Sequence, residues 1–214
     1  MDSLIEIDRS KWPELRDLYK QDWPKNAVAF CILDTKISYP DLAETFNFKV
    51  YCPDGDIRNG MITNSYHLQI LKLKNALGDL PFVLVWKSKE RKLLNVCKHK
   101  DLNIIDSTWT FHGKNTYKFF EALARNHLLF VLYSNDNNPL AWVSIDGDGA
   151  LTHLYCLEEH RRKGYAEYIT RYVVNNQLKK GKHILAYTLE NNIKPKNLFD
   201  KLNFKRVGYD QCCT

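Results

Sequence analysis

Nowhere in this 214-residue chain is there an apolar run approaching the ~20 residues that a membrane-spanning helix needs. No membrane partner is therefore expected. None of its six cysteines (Cys31, Cys52, Cys97, Cys156, Cys212, Cys213) stands in CxxC spacing, which argues against a zinc site and against a secreted disulfide framework. Reduced thiols and no metal are expected. The chain also lacks an internal period and any low-complexity tract. Its start, Met1 to Asp8, is acidic where a signal or transit peptide would be basic, so the expected location is cytoplasmic. The net charge of +6 admits nucleic-acid binding, but the basic residues are dispersed and no stacking motif accompanies them. No nucleic-acid partner is expected. Asp146-Gly147-Asp148-Gly149 hints at calcium, yet the rest of an EF-hand loop is missing and the segment reads as a hairpin turn.

What the chain does have is the run Leu154-Tyr155-Cys156-Leu157-Glu158-Glu159-His160-Arg161-Arg162-Lys163-Gly164-Tyr165-Ala166, a strand end, a turn and a helix start. The first N–H groups of a helix have no intrahelical partner and lie at the positive end of its dipole, so they suit a pyrophosphate. Gly164 allows close backbone approach, and Arg161, Arg162 and Lys163 add positive charge. A nucleotide-bearing cofactor is the natural ligand for such a turn.

The flanking pattern is that of a meander feeding this turn. Leu129 to Tyr133 and Leu140 to Ile145 are apolar runs separated by the turn residues Asn135 to Pro139, and a third strand runs from Leu151 to Cys156. Apolar residues at helical spacing over Tyr165 to Leu178 predict a helix closed by Lys179-Lys180-Gly181-Lys182. His183 to Thr188 reads as a strand, and Asn192 as the cap of a short helix with Pro195 in its first turn that runs to about Leu202. In the N-terminal half, Trp12, Leu15, Leu18 and Tyr19 share one helical face, and Asn47 to Cys52 and Phe82 to Lys87 read as strands.

Arg161-x-x-Gly164-x-Ala166 resembles the pyrophosphate signature of the GNAT superfamily of acyl-CoA-dependent N-acyltransferases. The segment from Asn192 through Leu198, Phe199 and Lys201 to Phe204 resembles the superfamily's second motif, at the expected separation. Ile105 to Trp109, the helix near Lys114 to Asn126, Leu140-Ala141-Trp142 and the Leu157 to Arg161 turn are similar to the glycine N-acyltransferase-like family. The resemblance implies an α/β (α+β) chain of GNAT fold, with a mixed, mostly antiparallel sheet flanked by helices. It implies a catalytic domain at 104–214 and a degenerate GNAT-like half at 1–103.

It further implies acyl-CoA or acetyl-CoA as co-substrate and a small-molecule amine, an amino acid such as glycine, as acceptor, in a monomer or weak dimer. Transfer would be direct, in a ternary complex. The N–H groups of Leu154, Tyr155 and Cys156 would hold pantetheine and the thioester carbonyl, the stretch from Arg161 to Ala166, including Tyr165, the pyrophosphate, and Asn192 the pantetheine arm. Phe199 would pack against the cofactor, standing where many members have a proton-donating Tyr. Ala150 replaces the family's candidate basic Glu, so Asp148 and Glu159 are the substitute bases by chemistry, with Asp146 and His160 beside them. Cys156, at the catalytic strand, is a nucleophile only if a base activates it. The rival readings are a GNAT acetyltransferase for another amine (polyamine, arylalkylamine or protein lysine) and a non-catalytic acyl-CoA-binding protein.

Overall fold

A computed structural model describes residues 3–21, 23–63, 93–188 and 191–205. The strand expected at Phe82 to Lys87, and Cys212 and Cys213, lie outside them. In the N-terminal half, α1 (Trp12–Gln21), α2 (Ala27–Ser38) and α3 (Pro40–Thr45) accompany an antiparallel sheet of order β1-β2-β3, formed by Leu4–Glu6, Val50–Pro53 and Ile62–Thr63. The helical face read from the sequence is the one that packs. Trp12 and Leu15 are buried with Leu33, Phe48 and Val50, and the Trp12 and Phe48 rings meet edge-on at 5.4 Å. Pro13 sits in the first turn of α1, where its missing N–H would have had no partner in any case.

Among the described residues, the second sheet has five strands in the order β4-β5-β6-β7-β8: Leu93–Val96, Leu129–Tyr133, Pro139–Ile145, Ala150–Cys156 and Leu185–Ala186. All neighbours are antiparallel except β7 and β8, which are parallel. Its first strand thus comes from residues ahead of position 104. Helices α4 (Leu102–Ser107), α5 (Thr116–Arg125), α6 (Tyr165–Lys179) and α7 (Ile193–Lys201) pack around it. Every residue of β5 is buried, because it is an interior strand packed into the main core with the helices.

Three elements differ from the sequence reading: the strand expected from Asn47 begins only at Val50, because Asn47 stands in a turn at φ 46. The strand expected over His183 to Thr188 shrinks to Leu185–Ala186, since its partner β7 offers pairing only at Ala150 and Leu151. Helix α7 begins after Asn192 as expected, but the Asn192 side chain makes no capping hydrogen bond.

The two sheets are joined through α2 and α3. Ala27, Phe30 and Cys31 of α2 share a buried cluster with Ala150 and Leu185 of the second sheet. Lys182 donates to Ser38 and pairs with Asp34 at 2.7 Å, and Arg125 pairs with Asp41 at 3.1 Å. Gly149, at φ +77, lies so close to α2 that a Cβ there would stand 2.7 Å from Thr35 Oγ1. Only glycine fits both that backbone conformation and that gap.

Candidate active site

The site forms where β7 loses its neighbour. Pairing with β8 stops at Leu151–Ala186, whereas pairing with β6 continues to Ala141–Cys156. The Leu157 N–H donates to Leu140 C=O, so by strand alternation Cys156 turns its own polar groups to the opposite, open edge. Its carbonyl accepts Arg161 Nε there at 3.0 Å. The ladder between β6 and β7 slips between Trp142 and Ser144, placing His153 and Leu154 opposite Val143, and His153 adopts φ 49. A bulge of this kind bends the strand and re-aims its side chains.

A cavity of ≈ 240 Å³ occupies the gap. Its walls are Leu151 to Tyr155 of β7, Thr108 to Phe111 after α4, Tyr187 and Thr188 after β8, Thr170 of α6, and Asn192, Pro195 and Phe199 of the α7 region. None of the described wall residues carries a formal charge. Thr188 is buried, and its Oγ1 has no hydrogen-bond partner among the described residues. Beyond the open edge, a short 3-10 turn at Glu158–His160 leads to Gly164, which precedes α6 at φ 80 with no side-chain cap. The first bond of α6 runs from Tyr168 N–H to Gly164 C=O, which leaves the Ala166 and Glu167 N–H groups ahead of the helical ladder.

The structure brings together Leu154, Tyr155, Asn192 and Phe199 on one cavity. Around the turn, the basic residues divide. Arg161 folds back over the strand end, with Glu158 at 2.9 Å and the Tyr155 ring at 5.5 Å, while Arg162 and Lys163 are exposed beside Gly164. Arg161 therefore braces the turn against β7, and Arg162 and Lys163 are the cations directed to solvent.

The acid–base candidates read from the sequence stand apart from the cavity wall. Glu159 is exposed, 3.8 Å from His160. Cys156 is half-buried and free, burial pushes its thiol up, and no acid–base group hydrogen-bonds it among the described residues. Asp148 lies in the hairpin turn whose Asp146 is fully buried. Asp146 Oδ1 accepts from the N–H groups of Asp148 and Ala150, each at 2.9 Å. Burial first, then the neighbouring Asp148 charge, pushes the Asp146 carboxyl up to about 7, while Lys36 pulls the other way. Lys36 is itself buried, its ammonium 4.9 Å from the Phe48 ring centre.

His153 was not singled out in the sequence, although it lies on the cavity wall. The alternation Leu151-Thr152-His153-Leu154-Tyr155-Cys156 marks a strand, but only the bulge decides which residue faces the gap.

A mixed sheet that opens beside an uncapped helix start defines the class of fold: it is the GNAT fold. The family model described as FR47-like protein matches residues 131–213. Among solved structures, a Drosophila protein aligns over 98% of this chain and 97% of its own at TM-score 0.77 and 12% identity. A GNAT-family acetyltransferase from Colwellia psychrerythraea aligns over 65% of this chain and 54% of its own, at TM-score 0.50 and 12% identity. Spermidine/spermine N-acetyltransferase SpeG of Vibrio cholerae aligns over 55% and 82%, at TM-score 0.41 and 20% identity. No curated protein sequence matches the chain.

Proposed function

We propose that the protein is an acyl-CoA-dependent N-acyltransferase that moves an acyl group directly from the thioester to a small-molecule amine. The observation that carries this reading is the open edge of β7 next to the uncapped start of α6. One end offers backbone groups to a thioester and pantetheine, and the other offers free N–H groups, Arg162 and Lys163 to a pyrophosphate. A donor aimed at the oxygen that becomes negative in the tetrahedral intermediate lowers such a barrier by about 3 kcal/mol. The cofactor residues are those of β7 from Leu154 to Cys156, the turn from Arg161 to Ala166, Asn192 and Phe199. The co-substrate supplies the activated acyl carbon, and the residues present hold it without a metal in the scheme.

The finer reading of the acceptor is an amino acid such as glycine, supported by the resemblance of the second half to the glycine N-acyltransferase-like family. A second reading, an arylalkylamine acceptor, is favoured by the cavity wall. Trp109, Phe111, Tyr155, Tyr187 and Phe199 line it, with no cation among the described wall residues to meet a carboxylate and no anion to meet a polyamine. The cytoplasm is the proposed location.

Free-thiol release from acetyl-, benzoyl- and long-chain acyl-CoA, with glycine, other amino acids, phenethylamine and spermidine as acceptors, tests the proposal. Turnover with glycine supports the first acceptor reading, and turnover confined to phenethylamine supports the second. Saturable CoA binding without turnover on any amine would make the protein an acyl-CoA-binding module instead.

A further inference from the structure

His153 is held unusually firmly for a group on a cavity wall. Its ring lies 5.1 Å from that of Phe120 and 6.1 Å from those of Trp109, Trp142 and Tyr155. Nε2 is 2.7 Å from the Ile105 carbonyl oxygen, 3.0 Å from Trp142 Nε1 and 3.4 Å from Thr108 Oγ1. The contacts to Ile105 and Trp142 compete, because a carbonyl can only accept and an indole N–H can only donate. The shorter contact needs a proton between its two atoms, which places the hydrogen on Nε2 and the lone pair on Nδ1. Nδ1 has no hydrogen-bond partner among the described residues.

The other described wall residues do not supply a base. Phe199 has no proton to move, and burial pushes the Tyr187 phenol up, so that it keeps its own proton and receives none. We infer that His153 Nδ1 accepts the proton of the attacking amine and returns it to the departing thiolate, a role that rests on the acyltransferase reading above.

The proton balance closes. The neutral amine forms the C–N bond to the thioester carbon, and its surplus proton passes to Nδ1. The C–S bond then breaks toward sulfur, and the imidazolium gives its proton to the CoA thiolate. The products are the amide, CoA thiol and neutral His153. Burial holds the imidazole down at about 4, so the ring is neutral and its lone pair available at physiological pH, while the Ile105 hydrogen bond and the Asp106 charge on α4 pull the other way. A conjugate acid of that strength protonates a thiolate readily, which makes a separate tyrosine acid at position 199 unnecessary.

The test compares wild type, His153→Gln and His153→Ala by thiol release and by calorimetric CoA titration. Glutamine keeps an N–H donor for the Ile105 carbonyl but has no basic nitrogen. The expected result is a kcat about 100-fold lower in His153→Gln, with the KM for acyl-CoA and the CoA affinity retained, and partial recovery of His153→Ala by added imidazole. Unchanged kcat in His153→Gln, or a loss that follows lost CoA affinity with no imidazole rescue, would overturn it and leave His153 a brace for the bulge. Should the variants fail to fold, nitrogen-15 histidine spectra of the wild type decide. A bare Nδ1 that responds to acceptor amine in the CoA complex supports the role, and a protonated Nδ1 sinks it. Failure of the wild type to turn over any amine would instead sink the acyltransferase reading.

Discussion

The two ends of β7 are built for opposite purposes. At its start, Leu151 pairs with strands on both sides and Ala150 with β8, and the preceding turn is pressed onto α2 around the buried Lys36 and Asp146. At its end, from Thr152 to Cys156, β6 is the only neighbouring strand among the described residues, and the open edge borders a cavity with no charged residue among its described walls and a helix start without a cap. A strand clamped at one end can stay open at the other without the sheet unravelling. The N-terminal half, on this view, contributes the clamp through α2, and the second half contributes the binding edge.

The largest expected effect breaks the open end. Gly164→Asp puts a side chain on a φ of 80 and a negative charge at the positive end of α6, so calorimetry should show no saturable CoA binding while thermal unfolding stays cooperative. The closed end breaks differently. Lys36→Met leaves the buried Asp146 and the half-buried Asp148 without their cation, and urea unfolding at pH 8 should show a loss of about 3 kcal/mol with CoA affinity kept.

A gentler wedge at the same place is Gly149→Ala, which meets Thr35 Oγ1 and a left-handed φ together. It should cost about 2 kcal/mol in urea unfolding, again with CoA affinity kept.

The pH dependence of stability sharpens the contrast without a change of shape. The Asp146 carboxyl, pushed up to about 7 from an ordinary 3.8, keeps a proton in the folded protein that the unfolded chain has already released. Its stabilising contribution is therefore complete below the ordinary carboxylate range and is lost as pH rises through about 7. Asp146→Asn should flatten urea midpoints between pH 5 and 8, an outcome that an unshifted Asp146 would not give.

How much of this was legible in the sequence follows the same division. The open end announces itself locally: Arg161, Gly164 and Ala166 are a turn and a helix start by residue type alone, and α6 lies where its apolar spacing put it. The meander from Leu129 to Cys156 was legible for the same reason, since alternation and turn residues are local signals. The clamp was not. Thr35 and Lys36 meet the turn at Gly149 only through tertiary packing, and nothing near Lys36 in the chain marks it for burial. His153 was hidden by its bulge, because a one-residue slip between β6 and β7 changes which face a side chain occupies. The shortened β8 was hidden too. His183 to Thr188 has the composition of a strand throughout, but its pairing with β7 ends at Ala186 and no other described residues pair with it.

The most direct test of the account is amide hydrogen exchange with and without CoA, read peptide by peptide. Protection gained at Thr152 to Cys156 and at Lys163 to Glu167, with the turn from Asp146 to Gly149 unchanged, is the predicted result. Protection elsewhere with those two segments unaltered would contradict the claim that the open end of β7 and the start of α6 form one cofactor site.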